Sequence, residues 1–224
     1  MKEYILELLF TYFPYMAGAV FLAGLVYRVV VNGKDVQALS SQFLSNDKLL
    51  NIGSHLFHYG IIFVFFGHIF GLLLPEWSYD WLITNEQKRI LAIIMGGAFG
   101  LITFGGILML LLRRFSVENV RRNSSIADIV IVILITFQIL TGLLGTCETS
   151  RHDLEHYMNL DRWAQGLLIF LPDSWQYLTG ATLVHKIHIF FGFLIIMIFP
   201  FTKLMHMAAL PFRYLIEILN PKRW

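Results

Sequence analysis

The chain has 224 residues, of which 57% are hydrophobic and 14% charged, where a soluble domain carries roughly 25% charged residues. That balance excludes a water-soluble globule and a disordered chain, and a formal net charge of +2 supplies no basic face for nucleic acid. A single cysteine, Cys147, excludes an intrachain disulfide framework, Cys-ligated iron–sulfur clusters and Cys-rich zinc sites.

Runs of about 20 residues free of Asp, Glu, Lys and Arg read as membrane spans. The first covers 8–27 and, with its helix ends, predicts a span over 5–31. Glu3 and Glu7 do not suit the basic start of a cleavable leader. The second, third and fourth predicted spans cover 49–74, 90–112 and 127–147. Segment 163–172 is too short to cross and predicts an interfacial helix, with Trp163 and Trp175 anchoring at headgroup level. The fifth span, 183–207, is interrupted only by Lys186 and Lys203 near its ends, where long amines snorkel outwards. A tail over 211–224 follows, carrying Phe212, Tyr214, Leu215, Ile218 and Trp224. The expectation is an all-α integral membrane bundle of five transmembrane helices forming one domain over 1–224.

Five spans put the termini on opposite faces. Eleven Lys and Arg fall on the C-terminal side and six on the other, so the positive-inside rule predicts the N-terminus outside and the C-terminus cytoplasmic.

Ionisable groups at membrane depth are costly and mark function by default. His55, His58 and His68 lie in the second span, and His185, His188 and His206 in the fifth. Because these spans run in opposite directions, His58 and His206 fall towards the cytoplasmic side, and His68 and His188 towards the outside. Imidazoles facing each other at two depths, with no thiolate or carboxylate at hand, suit the axial ligation of haem iron. Ten residues from His58 to His68 rise about 15 Å, and eighteen from His188 to His206 about 27 Å. Tilt, oblique haem planes and a kink at Pro200 must absorb the difference. His55 and His185 read instead as histidines bonded to backbone. His152 and His156, at i and i+4 beside Asp153 and Glu155, read as a solvated loop, with a metal site as the alternative. Gly60, Gly67, Gly71 and Gly192 remove bulk where a macrocycle or a neighbouring helix approaches. Gly96, Gly97, Gly100, Gly105 and Gly106 read as helix packing.

The runs SHLFHYGIIFVFFGHIFGLLLPEW, LVHKIHIFFGFLIIMIFPFTKLMHMAALP and FPYMAGAVFLAGLVYR, with Ser40 to Gln42, resemble the γ subunit of respiratory nitrate reductase, the di-haem cytochrome b of that complex. The resemblance covers essentially the whole chain. It implies a five-helix subunit of a prokaryotic inner membrane that oxidises quinol, menaquinol or ubiquinol, at the outer face. Electrons pass through two b haems to a cytoplasmic iron–sulfur subunit, and a molybdenum subunit reduces nitrate. Each electron crossing is worth about 2.3 kcal/mol per 100 mV. Carried over by position, His68 and His188 hold the outer haem iron and His58 and His206 the inner one. The quinol site matches Lys88, with Gly67 close by.

Arg113 and Arg114 are candidates for the inner-haem propionates, though positive-inside anchoring accounts for them equally well, as snorkelling does for Lys88 and Arg89. The tail over 211–224 either docks the iron–sulfur partner or lies on the membrane surface. The alternative functions are a cytochrome b subunit of a sulfite-reduction or heterodisulfide-reductase complex, a His-dependent metal or proton transporter, and a purely structural anchor.

Overall fold

A backbone inside hydrocarbon must satisfy its polar groups within its own segment, which leaves the helix as the economical choice for an apolar chain. The computed structural model describes residues 1–31 and 48–205, and among them every regular element is helical. The first helix runs as α1 (Lys2–Glu7), a π-helical turn (Leu8–Tyr12) and α2 (Phe13–Val31). Next come α3 (Lys48–His68), a second π turn (Ile69–Leu73), α4 (Asn85–Ser116), the short α5 (Glu118–Arg122) and α6 (Ile126–Arg151). Then α7 (Leu154–Leu168), a 3-10 stretch (Pro172–Leu178) and α8 (Leu183–Ile198) complete the order. Five of these segments are long and apolar enough to cross a membrane.

Polar residues set the boundaries. Thr84 and Ser125 open α4 and α6 with capping boxes, each side chain accepting from the N3 amide while Gln87 and Asp128 reach back to the cap. Asp153 and Thr182 cap α7 and α8 in the same sense. Such caps satisfy donors that the first helical turn leaves without partners. At the C-terminus of α7, Phe170 takes a left-handed φ of 59°. Leu171 N–H then reaches Gly166 O at 2.8 Å and Phe170 N–H reaches Leu167 O at 3.2 Å, a Schellman closure built without glycine.

Packing passes from α2 to α8, then α6, α4 and α3. Gly53, Gly60 and Gly106 let α3 and α4 touch backbone to backbone. A Cβ at Gly53 would stand 2.9 Å from Met109 Cβ, and one at Gly60 would collide with Thr103 Oγ1. Among the described residues α3 makes no comparable contact with α2 or α8, so the ring is open along that seam.

One end of the bundle is closed by α7. Phe10, Leu160, Trp163, Ala164, Leu167 and Leu178 form a buried cluster there. Trp163 is buried, and its indole N–H donates to Phe10 O at 2.9 Å. This corrects the expectation of a headgroup anchor. The carbonyl that Trp163 satisfies belongs to the π turn of the first helix, whose irregular register leaves acceptors to be met from outside. Trp175 likewise packs partly buried against the cluster. The helix itself begins at Leu154, nine residues before the expected segment.

The fifth candidate span covers Leu183–Phe201. Its α-helix ends at Ile198 and turns through Phe199–Phe201, where Pro200 lacks the donor that would continue the ladder. Pro200 is seated on Gly24, whose Cβ position lies 2.8 Å from the ring. His206, the tail over 211–224 and Ser40 to Gln42 lie outside the described residues.

Candidate functional site

His68 ends α3 beside the open seam, and its Nδ1 lies 2.8 Å from Val64 O. A backbone carbonyl only accepts, so Nδ1 carries the proton and the Nε2 lone pair is free. His188 faces it from α8. Thr141 Oγ1 lies 3.0 Å from Gln138 O and 3.2 Å from His188 Nδ1. Having donated its proton to the carbonyl, the hydroxyl accepts from Nδ1, which leaves Nε2 as the basic nitrogen here too. Gln138 Nε2 donates to His188 O at 3.0 Å and makes a long 3.3 Å contact with His188 Nε2. Gly142 leaves room for the ring, since a Cβ there would stand 2.9 Å from it.

The two ring centroids are 6.0 Å apart with planes 27° from parallel. Two imidazole–metal bonds of about 2 Å each, plus the distance from nitrogen to ring centre at both ends, give a separation of about 6 Å. No atom lies within 4 Å of the Cβ positions of Gly67 and Gly71, on either side of His68. The residues therefore fit a flat macrocycle held between two imidazoles. Gly60 and Gly192 do not border that space. They face Thr103 and Gln138, so helix packing accounts for them. In α4, Gly100 and Gly106 pack closely as expected, whereas Gly105 has no neighbour within 4 Å.

His58 has the same tautomer as His68, with Nδ1 2.8 Å from Ser54 O. Its expected partner, His206, lies outside the described residues. His185 is different. Thr149 Oγ1 donates to Gly145 O and accepts from His185 Nε2 at 3.2 Å, while Nδ1 lies 2.8 Å from Thr182 Oγ1. Both nitrogens have partners, as in His188, but His185 is buried beside His156 and does not face His68. His55 bonds Asn51 O through Nδ1 at 2.5 Å.

His156 stacks at 4.5 Å on His152 and lies 5.2 Å from His185. Burial pushes its pKa down, which keeps it neutral at ordinary pH. Among the described residues no group of three or more His, Cys, Asp or Glu could hold a metal ion.

Lys88 is neither snorkelling nor exposed. It is buried in the first turns of α4, and its Nζ pairs with Asp161 Oδ2 of α7 at 2.7 Å, above the Tyr79 ring at 4.4 Å. Arg89 grips Glu86 through two nitrogens and donates to Thr149 O and His152 O at the end of α6. Gln165, one turn beyond Asp161, donates to Leu72 O and Leu74 O just after His68. Arg113 is buried in α4, and Arg114 donates to Ser124 Oγ at 3.2 Å. Asp161, Gln165, Thr141 and Gln138 were missed in the sequence. The available signal was the pattern of apolar positions with Asp161 among them between 154 and 168.

These features define a polytopic helical membrane protein with an imidazole pair facing across an open seam. Residues 6–224 match the family described as nitrate reductase gamma subunit, and the chain belongs to that family. It is 35% identical to the respiratory nitrate reductase 2 gamma chain of Escherichia coli over 96% of this chain and 95% of that one. It is 37% identical to the respiratory nitrate reductase 1 gamma chain of the same organism over 92% of each. With the nitrate reductase gamma chain of Bacillus subtilis the identity is 31%, over 93% of this chain and 94% of that one. Membership, with five helices of spanning length, makes it a membrane-anchored subunit.

Proposed function

We propose that the chain is the di-haem cytochrome b subunit of a respiratory nitrate reductase complex, oxidising quinol and delivering electrons to an iron–sulfur subunit and through it to a molybdenum subunit. The observation that carries this reading is the His68–His188 pair, 6.0 Å between ring centroids, with both Nδ1 atoms engaged and open space beside Gly67 and Gly71. When bound, haem would supply a one-electron carrier. His68 and His188 would hold one haem iron. His58, with its Nδ1 on Ser54 O, and His206 would hold the second, and the buried Arg113 with Arg114 would meet its propionates.

Family membership supports the reading over the related reductase complexes. A transporter reading requires titratable groups along a wet path, whereas Asp128, at the start of α6, pairs with Lys203 at 2.6 Å. Charge asymmetry supports placing the α7 end outside. Lys88 at that end donates hydrogen bonds only, so its task towards a quinol, with Gly67 opening space nearby, is to hold an oxygen in place.

The test is a reduced-minus-oxidised visible spectrum of the purified chain with extracted haem counted per polypeptide. Two low-spin b haems are expected, and none after haem-sufficient expression would sink the reading. H188Q should remove one haem, while H185Q should keep both, because His188 is the imidazole that faces His68, whereas His185 sits between two threonines beside His156.

A further inference from the structure

The Lys88–Asp161 pair is almost completely withdrawn from solvent, with side-chain exposures of 6% and 1%, yet it is not fully satisfied. Asp161 Oδ2 is held by Lys88, while Asp161 Oδ1 and the Tyr157 hydroxyl are both buried without a hydrogen-bond partner among the described residues. Unpaired buried acceptors are rare in folded proteins and call for an explanation. Tyr157, Asp161 and Gln165 are spaced four apart and so share one face of α7. At the far end of that row Gln165 bonds the carbonyls of Leu72 and Leu74, in the turn that follows His68. One face of α7 thus joins the ion pair to the segment that carries His68, Gly67 and Gly71.

The chemistry of Lys88 creates a need that Lys88 cannot meet. An ammonium has donors and no acceptor, so it can orient a quinol oxygen but cannot take the proton that oxidation releases. A base must lie within reach, and the carboxylate in direct contact with Lys88 is Asp161. We propose that Asp161 is the proton acceptor of quinol oxidation, its unpartnered Oδ1 receiving the hydroxyl proton while Lys88 holds Oδ2 and the substrate. The inference rests on the quinol reading of the Lys88 site. Each quinol loses two electrons to the haems and two protons. One hydroxyl O–H breaks and an O–H forms on Asp161, whose carboxylic acid then returns the proton to water at the α7 end. The second proton follows the same route after the first has left, leaving quinone.

The surroundings suit such a base. Burial outweighs the pull of Lys88 and Arg162 and leaves the Asp161 carboxyl raised to about 6. Efficient general bases have a pKa close to the working pH. The groups facing it are Lys88 from α4, Tyr157 and Arg162 on α7, and Tyr79, which lies under Lys88. Arg162 is itself held by Glu155 at 2.5 Å.

The experiment uses membranes carrying the whole complex, with menadiol as the quinol probe and the rate of haem reduction as the readout. D161N keeps the shape of the side chain and removes the base. Its kcat is expected to fall by about 10²-fold, the low end of what a general base contributes, with KM little changed because Lys88 still holds the substrate. The quinol couple itself varies with pH in both proteins, so the ratio of wild-type to D161N kcat is the decisive quantity. It should be large above a midpoint near 6 and shrink towards one below it, because protonated Asp161 cannot act. A ratio near one at every pH overturns the assignment of Asp161 alone. Wild-type haem that menadiol does not reduce overturns the quinol reading, and this inference with it. Should D161N not accumulate, wild type and D161E carry the test. The ratio of wild-type to D161E kcat must then change over roughly pH 5 to 8, and a ratio that is flat across that range overturns the proposal.

Discussion

Thr141 decides which nitrogen of His188 carries the proton. Its hydroxyl proton goes to Gln138 O, so its oxygen can only accept from His188 Nδ1. Partners of this kind fix the orientation and basicity of a ligating imidazole, and their loss costs 10- to 100-fold in metal affinity. T141V should therefore weaken haem retention by about tenfold or more in a haem-extraction assay, and T141S should restore it. An unchanged T141V would show that the hydroxyl does not govern the ligand. Gly60 makes the opposite case, that of a residue whose sequence neighbourhood misleads. It follows His58 by two residues, but it faces Thr103 across the α3–α4 contact, where a methyl has no room. Overpacking of this kind costs about 1–3 kcal/mol, so G60A should lower the thermal midpoint of the purified chain while its haem spectrum stays in place. Histidine identity was legible from residue type, whereas the split between His188, which faces His68, and His185, which does not, depended on how the helices pack.

At the scale of elements, the spans were legible because apolar length is a one-dimensional property. Their polar starts, Thr84 and Ser125, close with ordinary caps. The helix α7 was misread because its apolar positions face a protein core and not the membrane surface, a distinction that periodicity does not carry. Its docking rests on a few long-range hydrogen bonds, from Trp163 to Phe10 O and from Gln165 to Leu72 O and Leu74 O. Removing the indole donor strands the Phe10 carbonyl, so W163F should destabilise the chain by about 1–3 kcal/mol, read as a shift in its denaturation midpoint. Q165A should do more to the site than to stability. The π turn it secures directly follows His68, so the haem reduction rate should fall while the thermal midpoint moves little. A rate equal to wild type would show that the turn holds His68 without Gln165.

For the whole molecule, the open seam between α3 and the α2–α8 side organises everything else. Four helices pack in sequence around one side, while α3 is held through α4 and, among the described residues, makes no comparable contact with α2 or α8. The α7 end collects the buried ion pair, the π turns and the aromatic cluster, and the other end carries the Asp128–Lys203 bond. The Lys and Arg excess on the C-terminal side predicts that a C-terminal fluorescent-protein fusion glows and a C-terminal alkaline phosphatase fusion stays inactive. The reverse pattern would invert the orientation and place the quinol reaction on the other face.

By itself the sequence determined the number of spans, the helical class, the lack of a Cys-ligated cluster and the histidines at membrane depth, because hydropathy, length and ligand type are properties of the chain read in order. Tertiary structure decided which imidazoles face each other, that Gly60 serves packing, that α7 closes one end as core, and that Lys88 is paired with Asp161. Each of these depends on residues far apart in the chain meeting at hydrogen-bond or van der Waals distance, and Lys88 and Asp161 are separated by 73 positions. No local pattern encodes such a meeting. It follows from how the helices pack.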